Sequence, residues 1–132
     1  MSHFHAVVWL DHAEAHVLHF TAEDVEKKLV HGKPHKHLHH KRGAQASGHA
    51  AEDQAYYHKV AEALAGAEEV LVVGPANAKT EFVKHLKAHD AAIAKKIVAV
   101  ETVDHPSDGQ LVDYARKHFR AIDRMRGVQT KQ

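Results

Sequence analysis

The sequence predicts a single α/β domain: one mixed sheet with helices packed on it. Two patterns lead there. Compact apolar runs rich in β-branched residues, His5–Leu10, Glu69–Gly74 and Lys96–Val103, read as strands. Stretches with apolar residues at helical spacing follow the middle run and the last one. The length of 132 residues suits one core, and 44% hydrophobic with 27% charged residues excludes the disordered and fibrous classes.

Taken in order, His5–Leu10 (HAVVWL) is a buried strand, Asp11–Glu14 a polar turn, and Ala15–Phe20 the return strand of a hairpin. Val25–His31 (VEKKLVH) is a third, more exposed strand at an edge, where Lys27 and Lys28 discourage pairing with another chain. Gly32–His49 has no usable periodicity and contains Pro34, Gly43 and Gly48, so it reads as a long loop, mobile when free. Helical order resumes near Ala50. Tyr57, Val60, Ala61 and Leu64 form one apolar stripe, and Gly66 ends the helix.

Glu69–Gly74 then leads through Pro75, Ala76 and Asn77 into a helix from about Ala78, with Phe82 and Leu86 one turn apart. After the strand Lys96–Val103, Pro106 precedes Ser107 and Gln110 at capping-box spacing. Leu111, Ala115, Phe119 and Ile122 give the last helix its buried face, and the basic tail from Arg124 to Gln132 is expected to fray. The order β-β-β-α-β-α-β-α predicts three antiparallel strands extended by two parallel ones through right-handed crossovers. That is a three-layer, ribonuclease-H-like arrangement with a mixed five-stranded sheet. No repeat or linker divides the chain, so residues 1–132 form one expected domain.

Cysteine is absent, which excludes disulfides, thiolate metal sites and a cysteine nucleophile. No apolar run is long enough for a transmembrane helix, and the start Met-Ser-His-Phe-His lacks the signal-peptide pattern. The expected location is the cytoplasm, with no membrane partner. Ser2, Ser47 and Ser107 sit in no strand-to-helix elbow with flanking glycines, which leaves no serine nucleophile motif.

The net charge of +1 names no partner, but its distribution does. Six of sixteen histidines fall within His31–His49, alongside Lys33, Lys36, Lys41 and Arg42 and no acid. Such a patch fits an anionic partner. The lysines and Arg42 can contact phosphates. The imidazoles of His37, His39 and His40 can stack on bases or donate hydrogen bonds, gaining charge as pH falls toward 6. The same run, His35, His37, His39 and His40, offers nitrogen ligands for divalent metal. Structural zinc sites, however, usually draw ligands from two separated pieces of chain, so this run binds as an affinity tag does. His85, His89 and His118 read as surface histidines. The turn Gly74–Lys79 follows a strand and opens a helix, where amides could hold a phosphate. It lacks phosphate-loop glycine spacing, so an ordinary βα turn is the plainer reading. Two-metal nuclease chemistry needs converging carboxylates. Asp11, Glu52 and Asp53 are the available acids, but the strand ending at Gly74 has acids only at its start, Glu68 and Glu69, so the carboxylate set is incomplete.

Two segments carry a family resemblance. Lys36–Leu64 (KHLHHKRGAQASGHAAEDQAYYHKVAEAL) runs from a basic stretch through Arg42-Gly43-Ala44-Gln45 to Lys59-Val60-Ala61-Glu62. Val72–Leu86 (VVGPANAKTEFVKHL) runs from a strand through a Gly-Pro turn and Lys79 to a Phe-x-x-x-Leu helix. Both resemble the central domain of the archaeal and eukaryotic class I peptide-chain release factors and of Pelota. The resemblance implies a stand-alone, translation-machinery-like module whose partners are the ribosome, rRNA or tRNA, with no cofactor. It places RNA contacts at Lys33, Lys36, His37, His39, His40, Lys41, Arg42, Gly43, Gln45 and Lys79. In release factors a Gly-Gly-Gln loop drives peptidyl-tRNA hydrolysis. Here Ala44 replaces the second glycine, and its Cβ restricts the backbone and the approach to the tRNA end. The expectation is therefore binding without efficient peptide release. Two alternatives stand beside it: an ester hydrolase using Gln45 as its catalytic residue, and a metal-binding protein using the His35–His40 run.

Overall fold

A computed structural model describes residues 5–21, 23–32 and 54–121, and the backbone of 122–130. β1 (His5–Leu10), β2 (Glu14–Phe20) and β3 (Val25–His31) form an antiparallel meander. β4 (Glu69–Gly74) pairs with the other side of β1 in parallel, and β5 (Ile97–Thr102) pairs in parallel with β4. The sheet order is β3-β2-β1-β4-β5. The predicted α/β class and mixed five-stranded sheet are what the structure contains.

Helix α1 covers 54–63, α2 Ala78–His89, α3 Ala91–Ala94 and α4 Asp108–Thr130. Apolar side chains from β1, β2 and β4 meet α1 and α2 on one face: Val8, Leu10, Val17 and Val72 against Tyr57, Val60, Leu64, Phe82 and Leu86. On the other face Val7, Trp9, Leu18 and Val73 meet Leu111, Ala115 and Phe119 of α4. Burial on both faces explains why β1 is a continuous apolar run rather than an alternating one. Each large buried side chain such as Phe82 contributes roughly 1.5–3 kcal/mol.

The strand limits differ from the sequence reading by a residue: β2 starts at Glu14, and β5 drops Lys96 and Val103 from its ends. The four-residue α3 was not expected. Its Ala-Ala-Ile-Ala sequence is too short for a period to register. α4 continues as helix to Thr130, through most of the segment read as a tail. Residues 131 and 132 lie outside the described residues. Local signals otherwise act as read. Gly66 takes φ +95°, the left-handed conformation that follows a helix end. The Ser107 amide donates to Gln110 Oε1 (3.0 Å) and the Gln110 amide to Ser107 Oγ (3.2 Å), which completes the capping box of α4. His19, buried on β2, donates Nε2–H to the Ala63 carbonyl (2.7 Å) and satisfies the last turn of α1.

Candidate functional site

The carboxyl ends of β1, β4 and β5 point to one edge of the sheet, and β3 also ends there because two antiparallel pairings restore its direction. In open α/β sheets this edge is where ligands bind. It is also where the chain leaves β3 for the basic segment and returns as α1.

Both ends of that excursion are fastened to the β1–β2 turn. The Gly32 amide donates to the Ala13 carbonyl (2.8 Å). The Tyr56 hydroxyl, two residues into the first described turn of α1, donates to the Asp11 carbonyl (2.8 Å). A Cβ at residue 32 would press on the carbonyls of His12 and Ala13 at 3.3 and 3.4 Å and on the Tyr56 ring at 3.5 Å, so glycine lets the two ends pack closely. The turn itself is rigid. Asp11 Oδ1 accepts from the amides of Ala13 (2.8 Å) and Glu14 (2.9 Å). Asp11 thus holds a turn, while Glu52 and Asp53 lie outside the described residues.

Around this mouth histidines face acids. His12 Nε2 is 3.3 Å from Glu81 Oε1, which also accepts from the Tyr57 hydroxyl (2.9 Å). His16 lies 2.9 Å from Glu14 and 3.6 Å from Asp108, and Lys27 is 2.6 Å from Asp108. The edge-strand lysine therefore also ties β3 to the start of α4. Beyond β5, a cavity of about 500 Å³ opens between the β5–α4 connection and α4, lined by His105, Gln110, Tyr114 and Lys117 among others. Burial, then the nearby Glu101, raises the Tyr114 pKa, so its hydroxyl stays protonated.

Of the residues expected to contact RNA, Lys79 is described. It is 8% exposed, and its ammonium donates to the Ala76 carbonyl (2.5 Å), closing the βα turn. Lys33, Lys36, His37, His39, His40, Lys41, Arg42, Gly43 and Gln45 lie outside the described residues, as does His35 of the metal reading. His85 is not a surface histidine: it is 7% exposed, beneath α1. Its position three residues after Phe82 was the signal, since i+3 shares the buried face. The structure also gathers His58, His85 and Asp90, a grouping hidden in the sequence because two helices supply it.

Sheet order, crossovers and helix layers together define a ribonuclease-H-like α/β domain. No protein-family profile matches the chain. No curated protein matches it either. Among solved structures the fold is similar to Archaeoglobus fulgidus Pelota, with a TM-score of 0.61 and 15% identity over 97% of this chain and 40% of that one. It is equally similar to the archaeal translation termination factor aRF1, with a TM-score of 0.61 and 16% identity over 96% of this chain and 40% of that one. S. cerevisiae Dom34, a translation termination-like factor involved in RNA quality control pathways and interacting with Hbs1, matches with a TM-score of 0.53 and 9% identity over 83% of this chain and 31% of that one. At these identities the likeness is one of fold, and the resemblance read from the sequence holds at that level. The chain spans about 40% of the length of the first two.

Proposed function

We propose that this chain is a ribosome- or tRNA-associated RNA-binding module that works in translation and acts in the cytoplasm. The carrying observation is a conjunction: the fold of Pelota and aRF1 with a basic, histidine-rich segment inserted between β3 and α1. In this reading residues 1–132 act as one domain. Lys33, Lys36, Lys41 and Arg42 contact phosphates, and Lys79 holds the turn after β4. His37, His39 and His40 add contacts that strengthen as pH falls toward 6. Gly43 and Gln45 approach the RNA, and Ala44 keeps the module a binder rather than an efficient hydrolase.

The test is co-sedimentation with ribosomes across a salt series. Binding is expected at low salt and weakens as salt rises. The Lys41→Ala, Arg42→Ala double variant should bind less tightly, with a salt slope shallower by about 2. Absence of co-sedimentation at low salt overturns the proposal. Release of peptide from loaded ribosomes, lost on Gln45→Ala, would replace binding with hydrolysis as the activity.

A further inference from the structure

The groove between α1 and α2 holds a cluster with chemistry of its own. His58 comes from α1, His85 from α2, and Asp90 is the C-cap of α2. One ligand-type atom from each lies within 4.8 Å of those from the other two. The outer nitrogens of both histidines are engaged by oxygen acceptors. His85 Nδ1 is 2.5 Å from Gln54 Oε1, and His58 Nε2 is 3.3 Å from Glu62 Oε2.

The Gln54 contact fixes the His85 tautomer. An amide oxygen only accepts, so His85 Nδ1 carries the hydrogen and Nε2 presents a lone pair. That Nε2 is buried and has no hydrogen-bond partner among the described residues, and the same is true of Asp90 Oδ2. His58 Nδ1 lies 3.9 Å from Asp90 Oδ2. Buried acceptors without a donor are disfavoured. Converging acceptors, with the far nitrogen of each histidine held by a further oxygen, are the arrangement around metal-ligating histidines. Burial first, then the neighbouring His89, lowers the His85 pKa against the opposing pull of Asp90, which favours the neutral ligating ring.

We propose that His58 Nδ1, His85 Nε2 and the Asp90 carboxylate bind a divalent transition ion of the zinc class. Two imidazoles and a carboxylate are a three-ligand zinc set, with the fourth position open to water or to His89. The His89 ring is 4.8 Å from that of His85. Ligand atoms around tetrahedral zinc sit roughly 3.4 Å apart. The His58 side chain, 56% exposed, can turn to close the remaining gap. The proposal uses no residue of the His35–His40 run and does not rest on the RNA-binding reading.

The experiment titrates zinc chloride alone, by calorimetry, into a tag-free full chain whose His35, His37, His39 and His40 are all replaced by Gln. One zinc per chain with micromolar or tighter affinity is expected. Asp90→Asn and His58→Gln should each weaken it at least tenfold, and cobalt should give the absorption of a tetrahedral complex. No saturable one-to-one binding, or affinity unchanged in both variants, overturns the site and leaves a water-filled groove. Far-UV circular dichroism checks folding. Should Asp90→Asn unfold, the exposed His58→Gln decides alone.

Discussion

Single atoms decide the geometry of the carboxyl edge. Gly74 ends β4 against β1 so closely that an added Cβ would run into the Leu10 carbonyl oxygen. Neither partner is a flexible side chain, so the strands themselves must part. Gly74→Ala should cost roughly 1–3 kcal/mol in urea unfolding. A loss under about 0.5 kcal/mol would mean the edge is looser than described. The sequence marks Gly74 as a strand end but does not indicate the close pairing with Leu10, because register is a property of two strands. His85 teaches the same lesson. The sequence reading places it on the surface although its spacing from Phe82 puts it on the buried face, and Gln54 and Asp90, which give it a chemical setting, are brought there by packing.

Among the elements, those with strong local signals were legible. The apolar run of β1 and the Ser107/Gln110 pair of α4 predict their structures because the causes lie within a few residues. α3 lacked such a signal, and the partner of Lys27 was invisible because Asp108 is far along the chain. The cap of α4 supplies a direct check. Ser107→Ala removes the hydroxyl that accepts from Gln110 and leaves a helix-end amide without it. The expected loss is about 1 kcal/mol, measured by urea or thermal unfolding. α4 should remain docked, since Leu111, Ala115 and Phe119 hold it to the sheet.

For the whole molecule, fold and proposed function are separable. Both described layers close around the sheet through residues 5–21, 23–32 and 54–121, and the fastenings at Gly32 and Tyr56 belong to that frame. Replacing residues 35–49 by a Gly/Ser linker half as long should change loop-closure cost by only about 0.6 kcal/mol. Calorimetry should find Tm within a few degrees of the unmodified chain, with ribosome binding lost. A large fall in Tm would show that the segment belongs to the core. The layout also sets where the molecule can be held. His5, at the start of β1, packs against Phe119 with ring centroids 4.3 Å apart, at the end of the sheet away from the Gly32 and Tyr56 fastenings. A six-residue strand separates those ends by roughly 20 Å. A probe placed at His5 therefore sits at the sheet end opposite the Gly32 and Tyr56 fastenings and leaves the carboxyl edge unobstructed.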